Sequence, residues 1–416
     1  VSGRARRLEA DWLKEGALAT LLALLDRDGE EARVVGGAVR NTLIGEPVGD
    51  VDIATTAPPD EVIRRVEQAG FKAVPTGIEH GTVTVVADSR PHEVTTLRED
   101  VETYGRHAKV AFGRDWKRDA ERRDFTINAL SVTRDAVIHD YVGGLRDLEA
   151  RRVRFIGDPP ARIAEDYLRV LRFFRFHAAY GQGAPDPAGL AACIAARGEL
   201  DRLSRERVRM EMFKLLVAVA AGPALAVMAD AGLLESVLGG VPLIASFANM
   251  TKIEAALDLA PDAVRRLGAL ALFIDEDADR LRERLRLANA EHQRLYSMAD
   301  AWWRIAAETA EQDGCALLYR LGRERFTDRV LLAWSRAPAG LADTAWHELA
   351  RLPERWSAPS FPLRAADFLK RGVARGPKLG AAMRAAEEAW IAVNFPTEPA
   401  SLAAIADAAA RHGKAG

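Results

Sequence analysis

Two aspartates separated by one residue, Asp50 and Asp52, are the first side chains in this sequence whose spacing suggests chemistry. On an extended chain, residues i and i+2 point to the same side. Two carboxylates brought to one point repel unless a cation sits between them. A hard divalent ion such as Mg²⁺, held by a pair of carboxylates and by substrate phosphates, suits that arrangement. A short apolar run, Arg33-Val34-Val35, leads into Gly36-Gly37 just upstream, and Ala38 to Ile44 then reads as a helix closed by Gly45. Glycines let a backbone approach a phosphate closely. The helix start adds free N–H groups and a positive dipole end, and Arg40 adds a charge-assisted contact. An isolated DxD is most often a solvated strand end, and an isolated Gly-Gly a turn. Their succession between residues 36 and 52 is what makes a metal and triphosphate site the expectation. Glu93, in the run Glu93-Val94-Thr95-Thr96-Leu97, is the candidate third carboxylate, with an exposed strand glutamate as the alternative.

A second constellation lies further on. Asp166, Arg169, Arg172 and Arg175 recur every three residues. On one continuous helix they form a slowly turning polar face, with Leu168, Leu171 and Phe174 on the other sides. Taken alone, this is an amphipathic helix with a solvated arginine stripe.

Five segments together carry a resemblance. They are Gly36-Gly37-Ala38-Val39-Arg40-Asn41-Thr42-Leu43-Ile44-Gly45 with Asp50-Val51-Asp52; Arg122-Arg123-Asp124-Phe125-Thr126-Ile127-Asn128-Ala129-Leu130; Asp140-Tyr141-Val142-Gly143-Gly144-Leu145-Arg146-Asp147-Leu148; Glu165-Asp166-Tyr167-Leu168-Arg169-Val170-Leu171-Arg172-Phe173-Phe174-Arg175-Phe176; and Glu206-Arg207-Val208-Arg209-Met210-Glu211. In this order they resemble the class II tRNA nucleotidyltransferase and bacterial poly(A) polymerase branch of the DNA polymerase β-type nucleotidyltransferases. Asn41 stands where that pattern more often has Asp.

The resemblance implies a template-independent enzyme that adds CCA to the 3′ end of tRNA from CTP and ATP, with Mg²⁺ at Asp50 and Asp52. It also implies that protein side chains select the base. Cytosine and adenine offer an amine donor beside a ring-nitrogen acceptor, whereas uracil and guanine offer the reverse. An aspartate accepts and an arginine only donates, so Asp166 with Arg169 complements C and A and leaves unpaired groups with U or G. Buried unpaired groups are where large discrimination originates. Arg172 and Arg175 are implied to support the base pocket or the phosphates, and Arg123 to contact the incoming nucleotide. Poly(A) synthesis, addition of A only, and an inactive RNA-binding relative are the competing readings. Pro75 to Val85 looks like the tRNA-enzyme type. The segment from Arg98 to Arg123, including Asp100 to His107, corresponds to a loop that enzymes restricted to CC addition tend to lack. The His139-Asp140 dipeptide lies inside the third segment, and no spaced set of His and Asp accompanies it, so no phosphohydrolase domain is expected.

Those residues need elements to position them. Up to about residue 140 the sequence alternates helix and strand signals. Leu18 to Leu25 and Pro59 to Gln68 read as helices; Asp50 to Ile53, Thr82 to Ala87 and Glu93 to Leu97 read as strands. Beyond Asp158 strand signals fade. Ala161 to Phe176, Glu206 to Val219 and Leu281 to Trp303 each read as one helix, Gly181 to Pro187 as a break, and Pro353 to Pro362 as a loop. The expected architecture is an α+β nucleotidyltransferase head built on a small mixed sheet, followed by all-α parts. The head is expected over 1–140, a base-recognising neck over 141–220, a body over 221–350 and a tRNA-binding tail over 351–416. Trp302, Trp303, Trp334 and Trp346 are expected in helical cores.

Bulk composition agrees. The 416 residues are 49% hydrophobic and 28% charged, too long for one core. The net charge of −2 confines RNA contacts to local stripes, such as the arginine-rich stretch from Arg146 to Arg209. Two distant cysteines, Cys193 and Cys315, suggest neither disulfide nor zinc and point to a reducing cytoplasm. No signal peptide or membrane span is expected. The tRNA acceptor end is the expected partner, bound through phosphate and shape, and no obligate protein partner is inferred.

Overall fold

Short β-branched runs bounded by Gly, Pro and Asp build the first part of the chain. The computed structural model describes the backbone of residues 6–104 and 107–415, and the side chains of 6–98 and 112–411. Among the described residues nine strands form: β1 (Ala32–Val35), β2 (Asp52–Thr55), β3 (Lys72–Gly77), β4 (Thr82–Ala87), β5 (Arg90–Thr96), β6 (Arg98–Tyr104), β7 (His107–Phe112), β8 (Ser131–Thr133) and β9 (Ile138–His139). Seven make one mixed sheet in the order β3-β4-β5-β2-β1-β8-β9. Among the described residues only β2 and β5 run parallel; β1 lies antiparallel to both β2 and β8. Helices α1 (Gly16–Leu25), α2 (Gly37–Ile44) and α3 (Pro59–Gln68) connect and cover the first strands.

The strand expected from Asp50 begins at Asp52, two residues later, because pairing with β1 starts where Asp52 meets Val35. β3 was not anticipated; Pro75 argues against a strand, yet β3 is an edge strand, where a missing N–H is tolerated. β6 and β7 pair as a separate antiparallel hairpin. Gly105, Arg106 and the side chains of residues 99–111, in the segment expected to enable A addition, lie outside the described residues.

Helices follow: α4 (Trp116–Glu121), α5 (Gly144–Glu149), α6 (Pro159–Glu165), α7 (Leu168–Tyr180), α8 (Pro187–Ala195), α9 (Arg205–Leu216) and α10 (Ala221–Asp230). The expected α+β start and helical remainder hold. The single helix expected from Ala161 to Phe176 does not form. It breaks at Asp166, whose backbone is extended (φ −156°, ψ 105°) and whose carboxylate accepts the Leu168 N–H at 3.2 Å. This turn, closed by its own side chain, starts α7 afresh. Phe125, Phe155, Phe173 and Phe176 pack ring against ring between α7 and the 125–155 segment, with centroids 4.9 to 6.3 Å apart. Asp140 is consumed structurally: its two oxygens accept the N–H groups of Val142, Gly143, Gly144 and Leu145.

The chain divides into two compact units, Val1–Val237 and Leu238–Gly416. The second is helical throughout. The helix expected over Leu281 to Trp303 is instead Asp275–Leu285 and Asn289–Ala299, because Arg286 takes a left-handed conformation (φ 51°) and Glu291 caps the restart through the Ala288 N–H. Trp334 and Trp346 are core residues stacked at 6.1 Å. Trp302 and Trp303 were also expected inside, but Trp302 is only partly buried and Trp303 is 58% exposed, because the second helix ends at Ala299 and the left-handed Ala301 (φ 53°) sets both on a short 3₁₀ turn. A buried charge network ties this unit together: Asp328 accepts from Arg265 and Arg294, and Glu254 from Arg265 and Arg266. Among the described residues no helix is long and apolar enough to cross a membrane.

Candidate active site

Gly36 follows β1 with φ 70° and ψ −118°, a conformation costly for any residue with a Cβ. Its N–H donates to the Leu130 carbonyl at 2.9 Å. A Cβ there would lie 3.5 Å from both an Arg123 guanidinium nitrogen and the Asn128 carbonyl. Those are ordinary contacts, so it is the backbone conformation of the turn, and not want of space, that requires glycine here. α2 starts at Gly37, and Gly45 closes it in a left-handed conformation. Arg40 is buried. It donates to Asn41 Oδ1 (2.9 Å), the Tyr180 hydroxyl (2.7 Å) and Asn128 Oδ1, and lies 3.8 Å over the Tyr180 ring. Asn41 in turn donates to the Pro47 carbonyl at 2.8 Å, pinning the loop that leads to the aspartates.

Asp50 and Asp52 stand at the mouth of the sheet with Val51 buried between them. Neither carboxylate has an ion-pair partner within 4 Å among the described residues. Burial, then the charge of Glu93 and that of Asp50, raise the Asp52 carboxyl above the usual aspartate value, and Arg123 opposes them. The β2–β5 register sets Ile53 beside Val94, so Glu93 is level with Asp52 on the side opposite the core. Among the described residues no group of three His, Cys, Asp or Glu side chains is arranged to hold a metal ion. Glu93 thus acts on Asp52 electrostatically without joining the pair in a ready cluster. Two carboxylates without an ion-pair partner, one already disfavoured as an anion, nevertheless make a donor set that fits a hard divalent cation. His92 Nδ1 lies 3.3 Å from the Val51 carbonyl, which fixes the backbone between the two aspartates.

The arginines face this pair across one cleft of about 720 Å³. Its walls include Gly36, Gly37, Arg40, Asp50, Asp52, Arg123, Asp166, Arg169, Arg172 and Arg175, and every residue proposed from the sequence is present except Glu93. Asp166 is not on the arginine face of a continuous helix, as expected, but at the turn before α7, where Arg207 of α9 grips it at 2.7 and 3.4 Å. Arg169 Nη1 donates to Glu165 at 2.6 Å and to the Arg162 carbonyl. Arg172 donates to Asp124 at 2.8 Å, and Arg175 lies 3.2 Å from Glu211. Arg123 donates to Asp119. The guanidiniums of Arg40, Arg172 and Arg175 surround the Phe176 ring at 5.4, 5.3 and 4.3 Å.

Asp124 explains how so many cations tolerate one another. Burial alone would raise its carboxyl, but Arg172, Asn128 and the Phe125 N–H outweigh that and hold it below the usual range, as an anion. Asp124, Asn128, Arg207, Glu211 and His92 were not singled out from the sequence. The i, i+4 pairs Asp124/Asn128 and Arg207/Glu211, each within one of the five segments, are the signal that could have found four of them.

Comparisons with known proteins agree with this geometry. A family model described as the Poly A polymerase head domain matches residues 32–154, and one described as a probable RNA and SrmB-binding site of polymerase A matches 184–247. The human protein named CCA tRNA nucleotidyltransferase 1, mitochondrial, is 33% identical over 92% of this chain and 88% of its own length. The CCA-adding enzyme of Geobacillus thermodenitrificans is 42% identical over 51% of this chain and 52% of its own. The crystal structure of the Bacillus stearothermophilus CCA-adding enzyme in complex with CTP superposes with a TM-score of 0.76 at 27% identity, covering 96% of this chain and 98% of that one.

Proposed function

The chain belongs to the CCA tRNA nucleotidyltransferase family, and from that premise we propose that it completes the 3′ end of tRNA, adding C, C and A from CTP and ATP and releasing pyrophosphate. The observation that carries this reading is the single cleft in which Asp50 and Asp52 face Asp166 and Arg169. The same four side chains can then act on the two ends of one nucleotide.

Nucleotidyltransferases of this superfamily use divalent metal ions. In this reading Asp50 and Asp52 hold Mg²⁺, which supplies charge neutralisation at the phosphates and activation of the attacking tRNA hydroxyl. Glu93 contributes through its field on Asp52. The Gly36-Gly37 turn and the start of α2 bring backbone N–H groups to the triphosphate, and Arg123 offers it a charge-assisted contact. Arg40 braces that turn against Asn128 and Tyr180 while keeping its positive charge at the cleft wall.

Selection of the base falls to the α6–α7 turn. Arg207 and the Leu168 N–H fix the Asp166 carboxylate yet leave lone pairs free to accept an exocyclic amine. Arg169 spends Nη1 on the protein, which leaves Nε and Nη2 to donate to a ring nitrogen. Arg172 and Arg175, held by Asp124 and Glu211, keep the pocket electropositive. The head, neck, body and tail over 1–140, 141–220, 221–350 and 351–416 divide these tasks, with the tail engaging tRNA. Both cysteines are free and buried, which supports a reducing compartment, and we place the reaction in the cytoplasm.

The test is incubation with Mg²⁺, labelled CTP and ATP, and tRNA lacking CCA, CA or A. Three, two and one additions are expected, followed by arrest. Long A tracts on unrelated RNA would mean poly(A) synthesis, extension of only the tRNA lacking A would mean A-only addition, and no incorporation would mean a binding protein. Asp52→Ala should abolish incorporation with the fold retained; near-normal turnover with CTP would remove the metal assignment.

A further inference from the structure

The second unit carries a pocket for which the reaction above has no use. About 560 Å³ in volume, it is lined by Pro242, Leu243, Ile244, Phe273, Trp302 and Arg336, among others. Arg336 ends the helical segment Glu311–Arg336 and lies 4.5 Å over the Trp302 ring and 5.8 Å from the Phe273 ring. Among the described residues its hydrogen-bond partners are all neutral: Ser246 Oγ at 3.3 Å, the Gly268 carbonyl at 3.5 Å and the Leu272 carbonyl. Its Nη1 is buried without a partner. Among the described residues no carboxylate forms an ion pair with it. That contrasts with Arg265, Arg266 and Arg294 in the same unit, each paired with Glu254 or Asp328.

Asp277, which accepts the Phe273 and Ile274 N–H groups, acts on Arg336 at longer range without pairing with it, so the half-buried cation still has room for a direct anionic partner from outside. The aromatic setting narrows the choice. Phe273 is 58% exposed and meets Trp302 edge to face at 5.7 Å, with the equally exposed Trp303 against Trp302 at 6.1 Å. Trp302 is fixed by its Nε1–H donating to the Phe273 carbonyl at 3.0 Å. A fixed aromatic ledge beside a guanidinium that no carboxylate pairs directly matches a group that is both planar and anionic. Nucleotides combine the two, with the base stacking and the phosphate meeting the arginine.

We propose that this pocket is an RNA subsite, which takes one unpaired nucleotide of the bound RNA with its phosphate toward Arg336 and its base against Phe273 and Trp302. The choice of RNA over a free nucleotide rests on the tRNA reading above.

The experiment measures binding of the full chain to tRNA lacking CCA over a series of salt concentrations, for the wild type, Phe273→Ala and Arg336→Met. AMP binding and CTP incorporation are measured on the same preparations. Phe273→Ala, at an exposed position, should weaken tRNA binding about tenfold with little change in salt dependence. Arg336→Met should weaken it and lower the slope of log affinity against log salt by about 1, the loss of one phosphate contact. The KM for CTP should stay unchanged in both. Unchanged tRNA affinity in Phe273→Ala, with wild-type incorporation normal, overturns the subsite and leaves the function standing. Absence of incorporation by the wild type overturns the functional reading itself. Loss of AMP binding with intact tRNA binding overturns the RNA assignment in favour of a free-nucleotide site. Should Arg336→Met fail to fold, the Phe273→Ala arm decides alone.

Discussion

Replacing Asp166 by Asn separates the recognition chemistry from mere pocket shape. The two side chains are nearly the same size, but the carboxylate accepts only, whereas the amide also donates. In the structure Arg207 holds Asp166 at 2.7 Å. Hydrogen bonds to charged groups contribute about 1.5 to 3 kcal/mol. The Asp166 and Arg207 side chains are 34% and 39% exposed, so solvent screening selects the lower end. A loss of about 1.5 kcal/mol corresponds to roughly a tenfold drop in kcat/KM for CTP and ATP. Selectivity should change in the opposite sense for the wrong nucleotides. An amide can turn its N–H₂ toward the carbonyl of uracil or guanine, so the penalty for UTP and GTP shrinks while that for CTP grows. The assay is kcat/KM for all four nucleotides on tRNA lacking CCA, with thermal unfolding as a control for the fold. An unchanged CTP to UTP ratio in Asp166→Asn would refute base reading by this residue.

Two further perturbations probe the charges that support the site and the second unit. Asp124 has a folded value depressed by Arg172 and its hydrogen bonds, so its charge adds stability that is complete above the ordinary aspartate value of 3.8 and is lost as the pH falls toward the folded value. Denaturant midpoints of wild type and Asp124→Asn should therefore start to converge as the pH falls below about 5 and go on converging through the folded value; a pH-independent gap would exclude the ion pair as its source. Asp328→Ala leaves Arg265 and Arg294 buried without their shared carboxylate, each now 2.9 Å from it. It should cost the second unit about 3 to 5 kcal/mol, read by urea unfolding, and a loss under about 1 kcal/mol would contradict the network's role.

How far the sequence disclosed this protein differs from place to place, for physical reasons. The β1–Gly-Gly–α2 turn was legible because glycine, helix stop and apolar run are local signals. Asp50 and Asp52 do line one cleft, but the strand that was to align them starts only at Asp52, with Asp50 in the loop before it. The break at Asp166 was not legible. The arginine periodicity runs straight through it, and the Asx turn that stops the helix uses the very aspartate taken for part of the stripe. β3 was hidden by Pro75, harmless only because the strand is at an edge, which is a tertiary fact. Arg286 and Ala301 both turn left-handed without being Gly or Asn, so nothing local predicted the two breaks or Trp303 outside the core. Arg207 and Glu211 were visible as a motif, but their task of restraining Asp166 and Arg175 depends on how α9 packs against α7, which no spacing rule supplies.

The central claim is that the acidic pair and the α6–α7 turn grip opposite ends of one nucleotide. A crystal structure of this protein with CTP and Mg²⁺ tests it most directly. Density for the metal between Asp50, Asp52 and the triphosphate, with the cytosine edge within hydrogen-bond distance of Asp166 and Arg169, is the predicted result. A triphosphate bound away from Asp52, or a base turned from Asp166, would contradict it.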